Sequence, residues 1–390
     1  MRFLRVLLLP LVLVASPAAA QTAPDPILQH YRDYRAALDR QDWAAAEAAA
    51  ELALSASEAR DGDGGRTAVL ALNLATTRLT ANDAAGALAP AQRAFSLAEA
   101  GAPGVDPTVA ALALGRAELA TSGQAGADRL AALLADEGAL ANVGVEEIYP
   151  SAAMLGVWAL QQHQHQRARE SWSVAARHAA GSPYGEEYGL ATARLWEGAA
   201  IIMDELGGGQ RRMNVDNATE AYIMLAEAYT LLRPMALVEP ANLELTVAQN
   251  TYANVLAWLG AVRAKMRADG QRLPRWPGEA QGDADGMSEI GAPTDITLPR
   301  CLLDLEARPL PRFPAEELRH MHLGVVVVRL QFDDAGNVVQ HRVVARAGSE
   351  GFQRAVERVA DRWSVTRDAD SPSQCRMPRT LLTPVSFQLN

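Results

Sequence analysis

The chain has 390 residues, of which 49% are hydrophobic, and its 46 acidic residues outnumber its 36 basic ones to give a formal net charge of −10. This length is sufficient for two or more domains, each with its own hydrophobic core. The acidic balance argues against nucleic acids and anionic membrane surfaces as partners.

The first residues have the pattern of a secretory signal peptide. Arg2 and Arg5 form a basic start, Val6 to Val14 is a short apolar core, and a small-residue cleavage motif ends at Ala20. We therefore predict a signal peptide over residues 1–20. An uncleaved membrane anchor is the weaker alternative, because the apolar run is far shorter than the roughly 20 residues that span a bilayer. After cleavage, 34 basic and 46 acidic residues remain, which gives a net charge of −12. The rest of the sequence contains no second candidate for a membrane-spanning segment.

Residues 24–268 are predicted to form repeated helix pairs rich in Ala, Leu, Glu and Arg. Four leucines each end a helical pattern just before a polar break, at successive spacings of 41, 40 and 41 residues: Leu38, Leu79, Leu119 and Leu160. The first two pairs resemble tetratricopeptide repeats, although the usual period in that family is about 34 residues. We predict an α-solenoid whose concave surface binds a peptide or protein; a helical spacer without a ligand is the alternative.

Three later helices are predicted around Tyr188–Leu206, Ala218–Leu232 and Leu243–Arg267, where they continue or cap the solenoid. Large aromatic residues cluster in the sequence near the fourth repeat, and we expect most of them to fill helix-packing faces. These residues are Trp158, Trp172, Tyr184, Tyr188 and Trp196. Residues 269–294 then change to Gly, Pro and acidic residues. They are predicted to form a flexible linker before a C-terminal domain at residues 295–390.

The region from about Arg308 to Leu389 has a compact order of strand and helix patterns. A valine-rich strand is predicted from Gly324 to Phe332, and Asp333 to Asn337 has the composition of a hairpin turn. The return strand, Val338 to Ala345, is predicted to keep three apolar residues on one side: Val339, Val343 and Ala345.

Apolar residues from Phe352 to Trp363 recur at helical spacing and predict an amphipathic helix. A last strand is predicted from Leu382 to Leu389, and Pro384 within it indicates an exposed sheet edge.

This order of elements resembles the C-terminal domain of the TonB family. The residues that carry the resemblance are Phe313, Pro314, Gly324, Gly336 and Trp363. The resemblance implies a small periplasmic α+β domain with a three-stranded antiparallel sheet and one main helix. The chain departs from the family pattern after the tryptophan, where Ser364-Val365-Thr366 replaces an aromatic residue and a proline.

In the family, this domain binds a short segment of outer-membrane transporters, partly by strand addition at a sheet edge. The candidate edge residues are Leu382, Thr383, Val385 and Phe387. Alternatively, this strand only completes the sheet. The predicted function is a non-enzymatic protein-interaction scaffold in the periplasm, linked to outer-membrane transport. The alternative is a TonB-type energy transducer that keeps its N-terminus as an inner-membrane anchor facing the periplasm.

The chain has two cysteines, Cys301 and Cys375, near the predicted C-terminal domain. Export to an oxidising compartment favours a disulfide between them. A redox-active pair is the alternative, although the Cys-x-x-Cys spacing that lowers a thiol pKa is missing.

No catalytic, cofactor-binding or metal-binding site is predicted. His163-Gln164-His165 lacks further ligands at metal-binding spacing. His320-Met321-His322 is predicted to lie in a solvated loop, and a site for a soft metal is the alternative. Gly207-Gly208-Gly209 lacks the lysine of a phosphate-binding loop and is predicted to break a helix.

Overall fold

The computed structural model of the protein describes residues 25–207, 212–236, 246–272, 303–306, 309–320, 322–333, 335–367, 373, 375 and 380–387. The predicted signal peptide lies outside these ranges, as does the predicted linker beyond residue 272. The described part contains no helix of the length and hydrophobicity needed to cross a membrane. The chain divides into two compact units, residues 1–186 and 187–390.

The first unit consists of helices that pack against their neighbours in the chain. They are α1 (Pro26–Asp39), α2 (Trp43–Asp61), α3 (Gly65–Thr80), α4 (Ala84–Glu99), α5 (Pro107–Ser122), α6 (Gln124–Ala135), α7 (Glu137–Leu140), α8 (Val145–Gln161) and α9 (His165–Arg177). Small residues allow the pairs to approach closely. A Cβ atom at Gly126 of α6, for example, would lie only 2.0 Å from the backbone nitrogen of Leu119 in α5. These helices form the repeat region, and they confirm the predicted helical architecture.

A residue with left-handed backbone follows the first helix of each pair. The φ angles are +57° at Gln41, +63° at Asn82, +59° at Gly123 and +57° at His163. In three of these turns the next residue donates its N–H to a carbonyl five residues earlier, as in a Schellman motif. The donors and acceptors are Asp42 to Ala37, Asp83 to Arg78, and Gln164 to Ala159. The leucine spacing therefore reflects a repeated turn geometry, in which His163 is a turn residue.

The second unit combines three long helices with the C-terminal strands. Its elements are α10 (Glu186–Gly207), α11 (Val215–Ala236), α12 (Val247–Ala268), β1 (Leu303–Glu306), α13 (Ala315–Arg319), β2 (Gly324–Phe332), β3 (Val338–Ala347), α14 (Glu350–Glu357), β4 (Ser364–Arg367) and β5 (Thr380–Phe387). Strands β3, β2 and β5 form an antiparallel sheet in that order. This confirms the predicted α+β domain. The short strands β1 and β4 pair antiparallel as a separate ribbon that the sequence analysis did not predict.

Both faces of the three-stranded sheet are covered. On one face, Val326, Val328 and Leu330 pack in one cluster with Phe352 and Trp363. On the other face lie residues that share a core with α10, α11 and α12: Val325, Val327, Ala345, Ala347 and Leu382. A Cβ atom at Gly260 of α12 would lie 3.2 Å from the Cγ1 atom of Val325, so the helix lies directly on β2.

The contact between α12 and the sheet explains where the compact units divide. The sequence predicts a linker at residues 269–294 between the helices and the C-terminal domain, whereas the two compact units divide between Glu186 and Glu187. At the start of the predicted linker, Asp269 accepts a hydrogen bond from the backbone N–H of Met213 at 2.7 Å. Gln271 donates to the Met213 carbonyl at 2.8 Å. These residues are therefore part of the helical packing.

Two bulges break the alternation predicted for β3. Val339 and Val344 have no partner on β2, because the register shifts by one residue at each position. Val339 is consequently 59% exposed. Val343 and Ala345 belong to the cores on opposite faces of the sheet. The prediction that these three residues share one side was therefore wrong.

The amphipathic helix is also shorter than predicted. The α-helix ends at Glu357, and a 3₁₀ turn at Ala360–Arg362 leads to Trp363 in extended backbone. Among the aromatic residues expected in the core, Trp172 and Tyr188 are buried, Trp158 and Trp196 are half-buried, and Tyr184 is exposed.

Candidate protein-binding edge of the C-terminal sheet

An aromatic cluster holds together the segments around the sheet. The ring of Phe313 meets Phe352 edge-on at 5.5 Å and Phe387 at 5.8 Å between ring centroids. Phe352 and Phe387 lie 4.7 Å apart. Trp363 is fully buried, and its indole N–H donates to the carbonyl of Pro309 at 3.0 Å. These contacts link the Phe313-Pro314 segment, α14 and β5 into one core.

Two glycines occupy places where a side chain does not fit. A Cβ atom at Gly324 would lie 2.2 Å from the Phe352 ring. Gly336 has a φ angle of +85°, and its Cβ atom would lie 2.1 Å from the carbonyl oxygen of Val365. Asp333 completes this turn by accepting the backbone N–H of Asn337 at 2.8 Å. Hydrogen bonds from Asn337, first of all from its backbone, hold the pKa of the Asp333 carboxyl below its usual value.

Strand β5 forms one edge of the sheet. It pairs with β2 without a register shift from Gly324 opposite Phe387 to Gln331 opposite Thr380. Within the described ranges, no strand pairs with its outer side.

The four predicted edge residues all lie on β5, but they differ in exposure. Leu382, Thr383 and Phe387 are buried, and Val385 is half-buried. The accessible part of the edge is therefore its C-terminal half, Pro384 to Ser386.

The comparisons with known proteins concern this part of the chain. The sequence profile of the family described as Gram-negative bacterial TonB protein C-terminal matches residues 309–389. The C-terminal module is a TonB-like domain. Domains of this family interact with other proteins, such as outer-membrane transporters, and the family is non-catalytic. The match covers about a fifth of the chain, and no curated protein matches the chain.

Pro384 indicates how the edge of the TonB-like domain is oriented. Proline has no backbone N–H, so it is tolerated in an edge strand where its nitrogen points away from the neighbouring strand. Pro384 lies opposite Val327 within the unbroken ladder. Backbone direction alternates along a strand, and Ser386 therefore directs its N–H outward as well. Ser386 is exposed and can offer this donor to an added strand.

The opposite edge of the TonB-like domain differs in both shape and charge. Strand β3 contains the two bulges and carries His341, Arg342 and Arg346. Bulges and charged side chains are the usual means by which proteins protect an edge from further strand pairing. Strand β5 has neither a bulge nor a charged residue. The sheet therefore presents one protected edge and one regular edge.

A buried carboxylate joins α13 to α14 in the TonB-like domain. Glu317 accepts a hydrogen bond from the Ser349 hydroxyl, and it lies 2.7 Å from Nδ1 of His322. Ser349 also caps α14 by accepting the Gly351 N–H. Burial alone would raise the pKa of Glu317, but the bonds to Ser349 and His322 lower it below its usual value. The Ser349 hydroxyl bonds to the carboxylate rather than to the imidazole, so this cluster lacks the nucleophile–base pair of a hydrolase.

The remaining candidate residues are the histidines at positions 320 and 322 and the two cysteines. The rings of His320 and His322 stack at 5.5 Å, and Met321 lies outside the described residues. Nowhere in the described part do three or more His, Cys, Asp or Glu residues form a group that could hold a metal ion. Cys375 is half-buried, whereas Cys301 lies outside the described residues. The disulfide between them therefore stays a prediction.

Proposed function

We propose that the protein is an exported, non-enzymatic interaction scaffold of the cell envelope. In this proposal the TonB-like domain binds a short segment of an outer-membrane transporter, and the repeat region binds a second protein. The observation that supports it most directly is the regular, uncharged β5 edge of a domain whose relatives bind transporters. An added strand would gain main-chain hydrogen bonds there without meeting the bulges and charges of β3.

The start of the described region is compatible with export. Helix α1 begins at Pro26, six residues after the predicted cleavage site at Ala20. Asp25 caps the helix by accepting the Ile27 N–H at 3.0 Å. Removal of residues 1–20 would therefore leave these contacts in place. In the exported chain we expect Cys301 and Cys375 to be oxidised to a disulfide.

An energy transducer is the second candidate function, and the TonB-like domain itself favours it. In this case residues 1–20 would remain attached as an inner-membrane anchor. The intact mass of the protein from fractionated cells distinguishes the two candidates. A soluble species that begins at Gln21 supports the scaffold, and a membrane-bound species that retains Met1 supports the transducer.

The β5 edge can be tested with a matched pair of variants, Ser386→Pro and Ser386→Ala. The binding partners are synthetic peptides that represent periplasm-facing segments of outer-membrane transporters. Ser386→Pro removes the outward N–H, whereas Ser386→Ala keeps it. We expect the proline variant to lose about tenfold or more in affinity and the alanine variant to bind like the unmodified protein. Equal binding by both variants would show that the peptide does not add to this edge.

A further inference from the structure

Two histidines lie at the surface where α13 leads into β2. His320 and His322 are both exposed. Backbone hydrogen bonds fix both residues to the helix: the His320 N–H donates to the Glu316 carbonyl at 3.2 Å, and the His322 N–H donates to the Glu317 carbonyl at 2.9 Å. The two imidazole rings lie next to each other, with 5.5 Å between their centroids.

Glu317 determines which nitrogen of His322 faces the solvent. The pKa of Glu317 lies below its usual value, so the carboxylate is ionised at neutral pH, and it lies 2.7 Å from Nδ1 of His322. An ionised carboxylate only accepts hydrogen bonds, so Nδ1 carries the proton. The lone pair of the neutral ring is then on Nε2, on the side away from the carboxylate. In metal sites, an imidazole that a carboxylate orients in this way binds the ion through its other nitrogen.

The carboxylate that orients His322 is itself held in place. Glu317 is buried, and its second oxygen accepts the hydroxyl of Ser349. Ser349 is fixed in turn, because its oxygen accepts the Gly351 N–H at 3.1 Å as the cap of α14. The side chain of His322, by contrast, is 58% exposed. A fixed carboxylate behind a solvent-facing imidazole is therefore part of this surface.

The separation of the two rings suits a shared ion. An imidazole that binds an ion at about 2.0 to 2.1 Å has its ring centroid about 3 Å from that ion, so two imidazoles at a tetrahedral angle have centroids about 5 Å apart. The observed separation of 5.5 Å is close to this value. The ring planes are inclined by 26°, and His320 is exposed, so rotation of its side chain can direct a nitrogen towards the same ion.

The charged side chains of α13 favour a cation. Glu316 and Glu317 contribute two negative charges and Arg319 contributes one positive charge, which gives this helix a net charge of −1. Arg319 is directed back along the helix, where its Nε donates to the Ala315 carbonyl at 3.4 Å. The positive charge is therefore partly withdrawn from the histidine loop.

We propose that His320 and His322 bind a divalent transition-metal ion and that Glu317 is a positioning residue for His322. Imidazole ligands suit copper, zinc and nickel, and Cu²⁺ binds most tightly in this divalent series. In the part of the chain that the structure describes, no group of three His, Cys, Asp or Glu residues could hold an ion. Water therefore completes the coordination, and the ion exchanges with the solution. The site uses no residue of the β5 edge.

The test measures the binding of Cu²⁺ and of Zn²⁺, each added alone, to the mature chain without an affinity tag. Isothermal titration calorimetry gives the affinity. We expect saturable binding, with Cu²⁺ bound more tightly than Zn²⁺. The separate variants His320→Ala and His322→Ala should each weaken it by about tenfold or more. Both side chains are exposed, so we expect both variants to fold, which circular dichroism checks.

Matched variants test the positioning role. Glu317→Gln and Glu316→Gln remove the same charge from neighbouring positions of α13. We expect Glu317→Gln to weaken binding by about 10- to 100-fold and Glu316→Gln to bind like the unmodified protein. If Glu317→Gln does not fold, Glu317→Asp replaces it, because the shorter side chain withdraws the carboxylate from Nδ1. His163→Ala, in the other His-x-His sequence of the chain, should leave this binding unchanged.

Four results would overturn the proposal. Binding that does not saturate, or that the His320 and His322 variants leave unchanged, would mean an adventitious ion only. Equal weakening by Glu316→Gln and Glu317→Gln would mean a general effect of negative charge. Unchanged binding by Glu317→Gln would exclude its positioning role. A loss in His163→Ala without a loss in His320→Ala would place the ion in the repeat region.

Discussion

The repeat region and the TonB-like domain obtain their stability in different ways. In the repeat region each helix packs on its neighbours in the chain, and a left-handed turn recurs at Gln41, Asn82, Gly123 and His163. In the C-terminal sheet, one face packs on Phe352 and Trp363, which lie between β3 and β5 in the chain. The other face packs on α12, which ends at Ala268, before the strands begin.

The repeat region is therefore held together by local contacts, and the C-terminal sheet by contacts between segments that are distant in sequence. A change in one repeat should affect mainly its immediate neighbours, because the contacts there are local. A change on either face of the sheet should affect segments that are distant in sequence. Hydrogen exchange measured by mass spectrometry can separate these outcomes, since it reports the opening of each segment rather than one average for a multi-unit chain.

The largest effect is expected for Trp363→Ala. The substitution empties a fully buried site and removes the indole bond to Pro309. We expect a loss of about 3 to 5 kcal/mol in the free energy of opening of the TonB-like domain. Hydrogen exchange should accelerate in β2 and also in α12, while α1 to α6 remain protected. Unchanged protection of α12 would show that its contact with the sheet contributes little.

A moderate effect is expected for Gly260→Leu, which tests the α12 face directly. The added side chain must displace Val325, whose Cγ1 atom lies 3.2 Å from the position of a new Cβ atom. Overpacking of this kind costs about 1 to 3 kcal/mol. Ala268→Leu is the control, because Ala268 lies exposed on the same helix. If both variants unfold at the same temperature as the unmodified protein, α12 is not closely packed against β2.

A smaller, pH-dependent effect is expected for Glu317→Gln. The folded-state pKa of Glu317 lies below its usual value of 4.5. The carboxylate therefore stabilises the fold above pH 4.5, and this contribution is lost as the pH falls through the lowered folded-state pKa. The unmodified TonB-like domain should lose stability over that acidic range, and Glu317→Gln should lose less. Parallel stability curves, recorded by thermal unfolding from pH 7 to pH 3, would contradict this role.

The smallest effect is expected for His163→Gly in the repeat region. Glycine adopts the left-handed conformation without the steric cost of a Cβ atom, which should stabilise the turn between α8 and α9 by up to about 1 kcal/mol. His163→Ala keeps the Cβ atom and should give no such gain. Slower exchange in α9 for the glycine variant alone would support a purely structural role for this histidine. A gain for both variants would mean that the imidazole, rather than the backbone, is unfavourable there.

Much of the fold could be predicted because its signals are local. The leucine period predicted the repeated turns, and Phe313, Gly324, Gly336 and Trp363 carried the resemblance to the TonB family. Each of these four residues has a steric or packing role in the structure. The positions of strands β2, β3 and β5 along the chain were predicted from the alternation of apolar and polar residues and from the turn at Asp333.

Other features depend on contacts that a linear pattern does not contain. The bulges at Val339 and Val344 each add one residue to β3, so strict alternation misplaced its side chains. The position of α12 on the sheet depends on complementarity between Gly260 and Val325. The sequence predicted this helix, at Leu243–Arg267, as a continuation or cap of the solenoid and not as a cover for the sheet. The burial of Leu382 and Thr383, which narrows the accessible edge, depends on the tertiary structure in the same way.

The second covered face of the sheet has a consequence for the evolutionary mobility of this domain. A gene segment limited to residues 309–389 would encode a sheet without its α12 partner. The encoded domain would expose one contiguous hydrophobic patch to water, formed by Val325, Val327, Ala345, Ala347 and Leu382. Transfer of this segment to another protein would leave the same surface uncovered. In this chain the buried interior of the TonB-like domain therefore includes α12, upstream of the residues that the family profile matches.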